Sequence, residues 1–412
     1  MKEFVKIAWL NNDHKSYWRQ TIHDFGVAYD ESEIDSVGVT RSGAIIFKPP
    51  KELPDFCSKH VKLHFLVTGC TALANTYTNK TQPVGDGPCL MRVLVSDKKI
   101  DEIPDDARTG RILGYPLCCI QNFASWWGKH EDPTYETYKH RYIHSNADIL
   151  LRQLGVRYVR HLPCNAGCRE SIRQGTELYN YILYKQPSTI LAIHKLMNSE
   201  MRWSRLHGVA EVITPIVKFA YMSDYTPIKE EFSIKGDTMV RFSQHEWKEN
   251  GFSSLYAQDR AHDPIILMFL RGRKDLKNLN PKVVDYGCGN GALLEKFCMI
   301  EPSIIPYGID CNEAALRHAE ERLPMGKFTL GDIHTDFFHD NFDFSMVSTK
   351  RFKEQPELAS KLLSRIRKHS TYSILYNYEC DGLVKYLRHL GIEVSDMNIS
   401  LNNSCEAALI RW

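Results

Sequence analysis

The stretch with the clearest chemistry is a short apolar strand that runs into a glycine-rich turn, Val283-Val-Asp285-Tyr-Gly287-Cys-Gly289-Asn-Gly291. Glycines at alternate positions let the backbone pass close to a ligand, because no Cβ is in the way. The predicted helix behind them offers free backbone N–H groups at its N-terminus. A carboxylate at Asp285 would repel a pyrophosphate but can accept hydrogen bonds from a cationic amino group. The pattern therefore predicts a small-molecule site at the end of this strand.

Two further acids follow the next two predicted strands. Asp310 ends the second strand, where a carboxylate can accept both hydroxyls of a ribose, as it does in sites for nicotinamide dinucleotides. Asp332 and Ile333 follow the third strand, and an acid beside an apolar residue suits an adenine edge, with the acid accepting from the exocyclic amine. The stretch Gly287–Ala292 also satisfies the looser dinucleotide fingerprint, so the glycines alone leave an NAD-type site open.

Residues 255–412 resemble the class I S-adenosylmethionine-dependent methyltransferases, in which an Asp-x-Gly-x-Gly-x-Gly loop wraps the methionine part of S-adenosylmethionine. The resemblance implies a Rossmann-like sheet of seven strands whose last two form a hairpin. It also implies a set of cofactor-binding residues in this chain. These are Asp285, Gly287, Gly289 and Gly291 on the methionine part, Asp310 on the ribose, and Asp332 and Ile333 on the adenine.

Methyl transfer from a sulfonium needs few catalytic groups from the protein, because the donor is already activated. The site mainly aligns a nucleophile with the methyl group. Arg351, after the fourth strand, could clamp a substrate carboxylate or phosphate. Tyr376, at the end of the fifth strand, is the second candidate for the catalytic pocket. The alternatives without a catalytic role are that Arg351 is a solvated loop residue and that Tyr376 is a buried aromatic residue of the core. The segment 347–352 lacks the Asn-Pro-Pro-Tyr type of motif found in many base-methylating enzymes, which favours a small-molecule substrate.

Four cysteines form a second candidate site. Cys118 and Cys119 follow Gly-Tyr-Pro-Leu, and Cys164 and Cys168 follow His161-Leu-Pro. Four thiolates, with His161 in reserve, are sufficient for Zn²⁺ or an iron–sulfur cluster, of which the cluster is slightly favoured. The spacing matches no standard zinc or ferredoxin pattern, so a redox-active thiol pair and buried structural cysteines stay open. The two motifs resemble a set in uncharacterised bacterial and archaeal proteins, and that resemblance supplies no function.

The two candidate sites lie in parts of the chain with different predicted secondary structure. Residues 251–412 alternate strands with helices, which predicts an α/β domain with a mostly parallel sheet. Residues 1–185 carry short strands up to about residue 100 and then helices, one of them over 138–154, which predicts an α+β domain that bears the cysteines. Residues 186–250 are interpreted as a connector with a strand pair over 210–223, too apolar to be a solvated linker.

Composition narrows the classes of function. A length of 412 residues predicts two or three domains. Lys and Arg number 52 against 50 Asp and Glu, unlike the strongly basic balance of a dedicated nucleic-acid-binding domain. The longest clean apolar run, residues 264–270, is far shorter than the roughly 20 residues of a membrane span. Twelve cysteines without an export signal predict thiols or metal ligation in a soluble cytoplasmic protein.

The sequence therefore predicts an S-adenosylmethionine-dependent methyltransferase that acts on a small molecule or biosynthetic intermediate. The N-terminal domain is expected to bind substrate or metal and to help close the active site. A methyltransferase that modifies RNA or protein is the first rival function, so nucleic acid is not excluded as a partner. A non-catalytic protein that senses the cofactor or a metal is the second, and an enzyme that transfers a different group from the same cofactor is the third.

Overall fold

A computed structural model describes residues 5–9, 15–72, 89–126, 137–138, 143–206, 209–222, 230–234, 252–336, 338–350, 352–378, 382–400 and 404–412. The chain divides into two compact units, residues 1–185 with 192–242, and residues 186–191 with 243–412. This division differs from the expected ranges 1–185, 186–250 and 251–412. The difference arises because residues 192–242 of the expected connector belong to the first unit, to which they contribute four strands within the described residues.

The first unit contains two antiparallel sheets. Its strands are β1 (Val5–Trp9), β2 (Gly43–Lys48), β3 (His64–Ala72), β4 (Cys89–Ser96), β5 (Met201–Leu206), β6 (Val209–Ile213), β7 (Val217–Met222) and β8 (Glu230–Ile234). One sheet has the order β1-β7-β6-β5-β8 and the other β2-β4-β3. The N-terminal strand β1 therefore pairs with a strand more than 200 residues away, with Val5 opposite Tyr221. This pairing ties the expected connector to the N-terminal part of the chain.

Helices make up much of the rest of the first unit. They are α1 (Lys15–Asp35), α2 (Leu53–Lys59), α3 (Asp106–Ile112), α4 (Leu117–Trp126), α5 (Arg169–Lys185) and α6 (Pro187–Met197), whose first residues cluster with the second unit. The 21-residue helix α1 was not predicted by the sequence analysis. Its buried face is carried by Trp18, Ile22, Phe25 and Tyr29, at intervals of three and four residues that suit a helix and not a strand.

The helix predicted over 138–154 is wrong over residues 143–154, whereas Tyr138 is helical. Residues 143–154 form two short 3₁₀ turns, Ser145–Ala147 and Arg152–Leu154. Between them the Asp148 carboxylate accepts a hydrogen bond from the backbone N–H of Leu150 (2.8 Å) and another from the buried Tyr138 hydroxyl. A short polar side chain that captures a nearby N–H competes with the helical hydrogen bond. This competition explains the break.

Close packing at Gly175 in α5 gives a test of the first unit. A Cβ at this position would lie 1.9 Å from the backbone carbonyl oxygen of Asn146, which has no flexible end to move. We expect Gly175→Ala to destabilise the unit by about 1–3 kcal/mol, the usual cost of overpacking, despite the better helix propensity of Ala. Faster hydrogen exchange in α5 of the full-length protein would report this loss. Unchanged exchange would contradict the observed packing.

The second unit is an α/β domain. Its helices are α7 (Leu255–Arg273), α8 (Ala292–Ile300), α9 (Glu313–Arg322), α10 (Pro356–His369) and α11 (Leu383–His389). Its strands are β9 (Lys282–Tyr286), β10 (Ile305–Asp310), β11 (Lys327–Leu330), β12 (Phe342–Ser348), β13 (Ser370–Asn377), β14 (Asp396–Ile399) and β15 (Glu406–Arg411). They form one sheet in the order β11-β10-β9-β12-β13-β15-β14.

This sheet confirms the predicted fold class. The strands β9 to β13 run parallel, and β14 and β15 form an antiparallel hairpin at one side, with β15 paired to β13. Parallel strands buried on both faces need continuous apolar side chains. Val283, Val284, Ile309, Phe344 and Ile374 are fully buried and supply them. The seven-stranded Rossmann-like sheet is thus present as expected.

Helix length and hydropathy show whether a helix could span a membrane. Among the residues that the structure describes, no helix combines the length and the apolar character needed to cross a bilayer.

Candidate functional site

The glycine-rich turn lies at the carboxyl end of β9, where the order of the sheet reverses. Strand β9 pairs with β10 on one side and β12 on the other, and both neighbours are parallel to it. The connections therefore leave in opposite directions and open a crevice outside the carboxyl ends of the strands. Ligands of open α/β sheets bind in such a crevice, so the topology places Asp285 and the glycines at the expected position.

The backbone of the turn adopts conformations that favour glycine. Gly287, Gly289 and Gly291 have positive φ angles of 89°, 52° and 73°. A Cβ at Gly287 would meet no atom within 4 Å, whereas one at Gly291 would lie 3.0 Å from the Cβ of Ala319. Gly291 thus permits close packing of α8 against α9, and Gly287 faces open space. The two glycines serve different needs, helix packing and access to the crevice.

Asp285 is the main electrostatic feature of this site. Its side chain is 2% exposed, and among the described residues its Oδ1 has no hydrogen-bond partner. Burial, and then the negative charge of Asp310, raises the pKa of this carboxyl to about 8. A buried oxygen without a partner is costly. A ligand that donates to this oxygen, and a cation above all, would remove that cost and favour the ionised form.

Asp310 and Asp332 follow the next two strands as predicted, but they differ in their surroundings. Asp310 Oδ2 accepts from the backbone N–H of Gly289 (2.7 Å), and its Oδ1 accepts from that of Asn312 (2.8 Å). The carboxylate thus fixes the glycine turn as well as facing the crevice. Asp332 is exposed at the end of β11, where its Oδ1 accepts from the N–H of His334. Ile333 packs against the core of the unit.

Of the two candidate catalytic residues, the structure describes only Tyr376. Arg351 lies outside the described residues. Tyr376 is buried at the end of β13, and its ring packs edge to face against that of Tyr378, with 5.2 Å between the ring centres. Burial, and then the charge of Asp285, raises the pKa of Tyr376 well above its usual value. Its hydroxyl therefore stays neutral, and its catalytic role stays a prediction.

A buried polar cluster around Lys296 was not found from the sequence. Lys296 in α8 directs its Nζ to the Asp259 carboxylate (2.6 Å), the Ser188 hydroxyl (3.2 Å) and Nδ1 of His262 (3.1 Å). These residues come from α6, α7 and α8, all within the second unit. The sequence offered little indication of this cluster, because Pro264 lies inside α7 and a proline usually breaks a helix.

His262 has a defined proton arrangement in this cluster. A lysine ammonium can only donate, so Nδ1 of His262 accepts and Nε2 carries the ring proton. Burial, and then the charge of Lys296, lowers the pKa of His262 well below its usual value, so the ring is neutral. The rings of Phe252 and Tyr378 lie beside it, at 6.1 and 6.4 Å between centres. The cluster thus presents a neutral imidazole among aromatic rings.

The four predicted cysteines of the first unit converge. Their sulfurs all lie within 4.8 Å of one another, although the two pairs are about 45 residues apart in the chain. Cys118 and Cys119 lie in the first turn of α4, and Cys168 directly precedes α5. His161, the reserve ligand, is not part of this group, since its Nε2 contacts the Ser171 hydroxyl at 2.7 Å.

The thiols in this group differ in acidity. Burial raises the pKa of Cys164 to about 11, and it raises the pKa of Cys119 further above the usual value. Burial acts in the same direction on Cys168, but hydrogen bonds, first of all from Ser171, lower the pKa of that thiol overall. The lowered pKa of Cys168 therefore makes this thiol easier to ionise than Cys119 and Cys164.

A cavity of about 400 Å³ lies beside the cysteines in the first unit. Its wall is partly apolar and partly polar, and includes Tyr115, Cys119, Phe123, Arg160 and His161. Arg160 is paired with Asp30 and Glu33, so its charge is already balanced. The cavity is large enough for a small organic molecule.

No protein-family model matches the chain. A sequence relative is trans-aconitate 2-methyltransferase of Variovorax paradoxus, which is 44% identical over 54 residues. That match covers 13% of this chain and 21% of the relative, so the chain spans about a fifth of the relative's length. The match is to a methyltransferase, in agreement with the resemblance that the motifs of the second unit indicated.

Solved structures with a similar fold include an S-adenosylmethionine-dependent methyltransferase from Clostridium acetobutylicum, at 12% identity and a TM-score of 0.30, covering 37% of this chain and 90% of that one. N-methyltransferase NodS from Bradyrhizobium japonicum matches at 15% identity and a TM-score of 0.27, covering 35% and 96%. The plantazolicin methyltransferase BpumL in complex with SAH matches at 21% identity and a TM-score of 0.25, covering 29% and 48%. By their titles these proteins are methyltransferases, and each of the three structures matches only 29–37% of this chain. The resemblance of the N-terminal half stays a prediction.

Proposed function

We propose that this protein is an S-adenosylmethionine-dependent methyltransferase whose second unit binds the methyl donor. The observation that carries the proposal is Asp285, a buried carboxyl with an unpartnered oxygen at the end of the central strand, next to a glycine turn that faces open space. The α-amino group of S-adenosylmethionine is a cation that donates hydrogen bonds, as this oxygen requires. A pyrophosphate has no hydrogen-bond donor for this oxygen and would disfavour its ionised form, which goes against an NAD-type ligand.

The residues at the crevice fit the rest of the donor molecule. Asp310 would accept from the ribose hydroxyls, and Asp332 and Ile333 would border the adenine. When bound, S-adenosylmethionine supplies an activated methyl group on a sulfonium. The protein then has to orient the acceptor and exclude water, for which the packed aromatic rings of Phe252, Tyr376 and Tyr378 provide an apolar wall.

We further propose a small molecule or biosynthetic intermediate as the methyl acceptor, and a substrate- or metal-binding role for the first unit. A net charge of +2 supports a small acceptor over a nucleic acid, because a nucleic-acid-binding protein is usually strongly basic. The sequence relative is, by its name, an enzyme that methylates trans-aconitate, which is a small molecule. The 400 Å³ cavity of the first unit has a size that suits such a compound.

The test is to incubate the full-length protein with S-adenosylmethionine labelled in its methyl group, together with a cell extract separated into small-molecule, RNA and protein fractions. Label in the small-molecule fraction is the expected result. Label in RNA or protein would favour a macromolecular acceptor. Calorimetric binding of S-adenosylmethionine without label in any fraction would favour a sensing protein, and absence of binding would overturn the proposal.

The open space at Gly287 gives a prediction for donor binding. We expect Gly287→Ala to weaken S-adenosylmethionine binding by roughly tenfold or more, because the added methyl group enters the space next to the turn. The positive φ of 89° adds strain of about 1–2 kcal/mol in the protein itself. Calorimetry with the donor and thermal unfolding would separate the two effects.

Gly272→Ala is the matched control, because Gly272 lies in α7 and not in the turn. A Cβ there would lie 2.7 Å from the ring of Phe344 and 3.3 Å from the side chain of Leu409. We expect this variant to lose stability by about 1–3 kcal/mol, with a smaller change in affinity for the donor. Equal loss of affinity in the two variants would argue against a ligand at the glycine turn.

A further inference from the structure

The four clustered cysteines carry an inference that is independent of methyl transfer. Three of their sulfurs form a nearly equilateral triangle, with Sγ–Sγ distances of 3.7 Å for Cys118 and Cys168, 3.8 Å for Cys119 and Cys168, and 3.9 Å for Cys118 and Cys119. The sulfur of Cys164 completes the group within 4.8 Å of the others. Four sulfurs at such distances approximate the corners of a small tetrahedron.

This spacing fits one metal ion. A zinc–sulfur bond of about 2.3 Å gives a regular tetrahedron with sulfurs about 3.8 Å apart. A cluster of four irons holds its cysteines differently, because each thiolate binds a separate iron and points away from the others. Its sulfurs lie farther apart than those around a single ion. The observed distances therefore favour a mononuclear site and go against the iron–sulfur cluster that the sequence analysis slightly favoured.

The local structure also suits negatively charged sulfurs. The N-terminal ends of α4 and α5 both meet at the cluster, where their backbone N–H groups give a positive potential. The backbone N–H of Cys164 points to Sγ of Cys119 (3.4 Å), and the side-chain amide of Asn165 points to Sγ of Cys164 (3.5 Å). The Ser171 hydroxyl lies 3.5 Å from Sγ of Cys119. Donors of this kind stabilise thiolate ligands and fix their orientation.

Disulfide bonds do not explain the arrangement. A disulfide brings two sulfurs to about 2.05 Å and leaves the remaining distances unequal. All four cysteines are free thiols, and the sulfurs of Cys118, Cys119 and Cys168 are almost equally far from one another. Similar distances among several sulfurs are expected when one central ion sets them all.

We propose that Cys118, Cys119, Cys164 and Cys168 bind a single Zn²⁺ ion as four thiolates, and that this ion links α4 to the loop before α5. Binding replaces the thiol protons: one Zn²⁺ enters, up to four protons leave, and no group is oxidised or reduced. A site with four protein ligands has no open position, which makes it structural and not catalytic. Its role is to hold together two segments about 45 residues apart in the sequence.

The experiment starts from full-length protein purified without chelators or oxygen. Elemental analysis is expected to give one zinc per chain with little iron or acid-labile sulfide. Exchange with Co²⁺ is expected to give the intense visible bands of tetrahedral thiolate coordination. A brown protein with iron and sulfide would overturn the proposal in favour of a cluster. Two disulfides in intact-mass measurements, or a protein free of metal even after zinc is added, would also overturn it.

Variants locate the metal. Cys164→Ser and Cys168→Ser are each expected to weaken zinc binding by roughly tenfold or more in competition with a chromogenic chelator. Cys57→Ser and Cys298→Ser are matched controls outside the cluster, and both should keep full zinc content. Zinc retained at wild-type affinity in the cluster variants would place the ion elsewhere.

A measurement on the unaltered protein covers the case in which these variants fail to fold. Alkylation followed by peptide mapping should show the four cysteines protected in zinc-loaded protein and reactive after zinc is removed with a chelator. Equal reactivity in the two states would contradict the proposed ligands. S-adenosylmethionine binding, measured in the same preparations, reports on the proposed methyltransferase function separately, since the donor site belongs to the second unit.

Discussion

Replacing Asp285 by Asn is expected to weaken S-adenosylmethionine binding by about 2–3 kcal/mol, or roughly 30- to 150-fold in Kd. The side chain keeps its size, but its charge is lost, and with it the charge-assisted hydrogen bond that the amino group of the donor would make to the buried oxygen. Calorimetry with the donor measures the change. Asp275→Asn removes an exposed carboxylate from the same unit and should leave the affinity unchanged.

The same substitution should change how stability depends on pH. The carboxyl of Asp285 has a folded-state pKa raised from 3.8 to about 8. Its contribution to stability is therefore fully present below the lower value and is lost as the pH rises toward the higher one. In ligand-free protein the free energy of unfolding should decline by at most about 1.4 kcal/mol per pH unit from this group.

Urea unfolding between about pH 5 and pH 8 tests this expectation. Asn does not titrate, so Asp285→Asn should remove the part of the decline that Asp285 causes, and the variant should be no less stable than the wild type at the upper end. A variant that lost both stability and donor affinity at every pH would show that Asp285 has a structural role instead of a ligand-binding one.

Replacing Lys296 by Met is expected to destabilise the second unit by about 3–5 kcal/mol, because it removes the cation that forms an ion pair with the buried Asp259 carboxylate. The Lys296 and Asp259 side chains are only 13% and 8% exposed, so water compensates little. Ser188 and His262 lose a hydrogen-bond donor at the same time. Hydrogen exchange of the β9 and α8 segments in the full-length protein would measure the loss.

Two comparisons make this prediction specific. Arg317→Met breaks an ion pair with Glu313 whose side chains are 68% and 65% exposed, and should cost no more than about 1 kcal/mol. Adding Asp259→Asn to Lys296→Met removes the carboxylate charge that Lys296 balanced and should recover a large part of the stability. A double variant as unstable as Lys296→Met alone would mean that the lysine acts through packing and not through charge.

The second unit was predicted well because its determinants are local. Its central strands are short apolar runs next to turns, and each connection in the parallel part is a helix or a loop, so the order of elements alone indicates the sheet. Asp285 and Asp310 follow adjacent strands, and the carboxyl ends of parallel strands meet at one edge. Their proximity could therefore be inferred without coordinates. Helix α7 was missed because Pro264 interrupts its pattern.

The first unit was predicted less well because it depends on contacts between distant residues. Strand β1 pairs with β7, which was assigned to a connector. The turn around Asp148 replaces an expected helix because one carboxylate captures a backbone N–H and a tyrosine hydroxyl. Neither contact can be recognised from the spacing of apolar residues in the sequence.

The sequence by itself determined the glycine turn, the acids after the parallel strands and the presence of four cysteines in two pairs. These features follow from residue type and short spacing, which a one-dimensional pattern records. Only the tertiary structure decided that the four sulfurs converge within 4.8 Å of one another, and that Lys296 contacts Asp259 and His262. Such groups come together through the packing of separate helices and loops, and sequence spacing does not encode the distance between side chains that packing brings into contact.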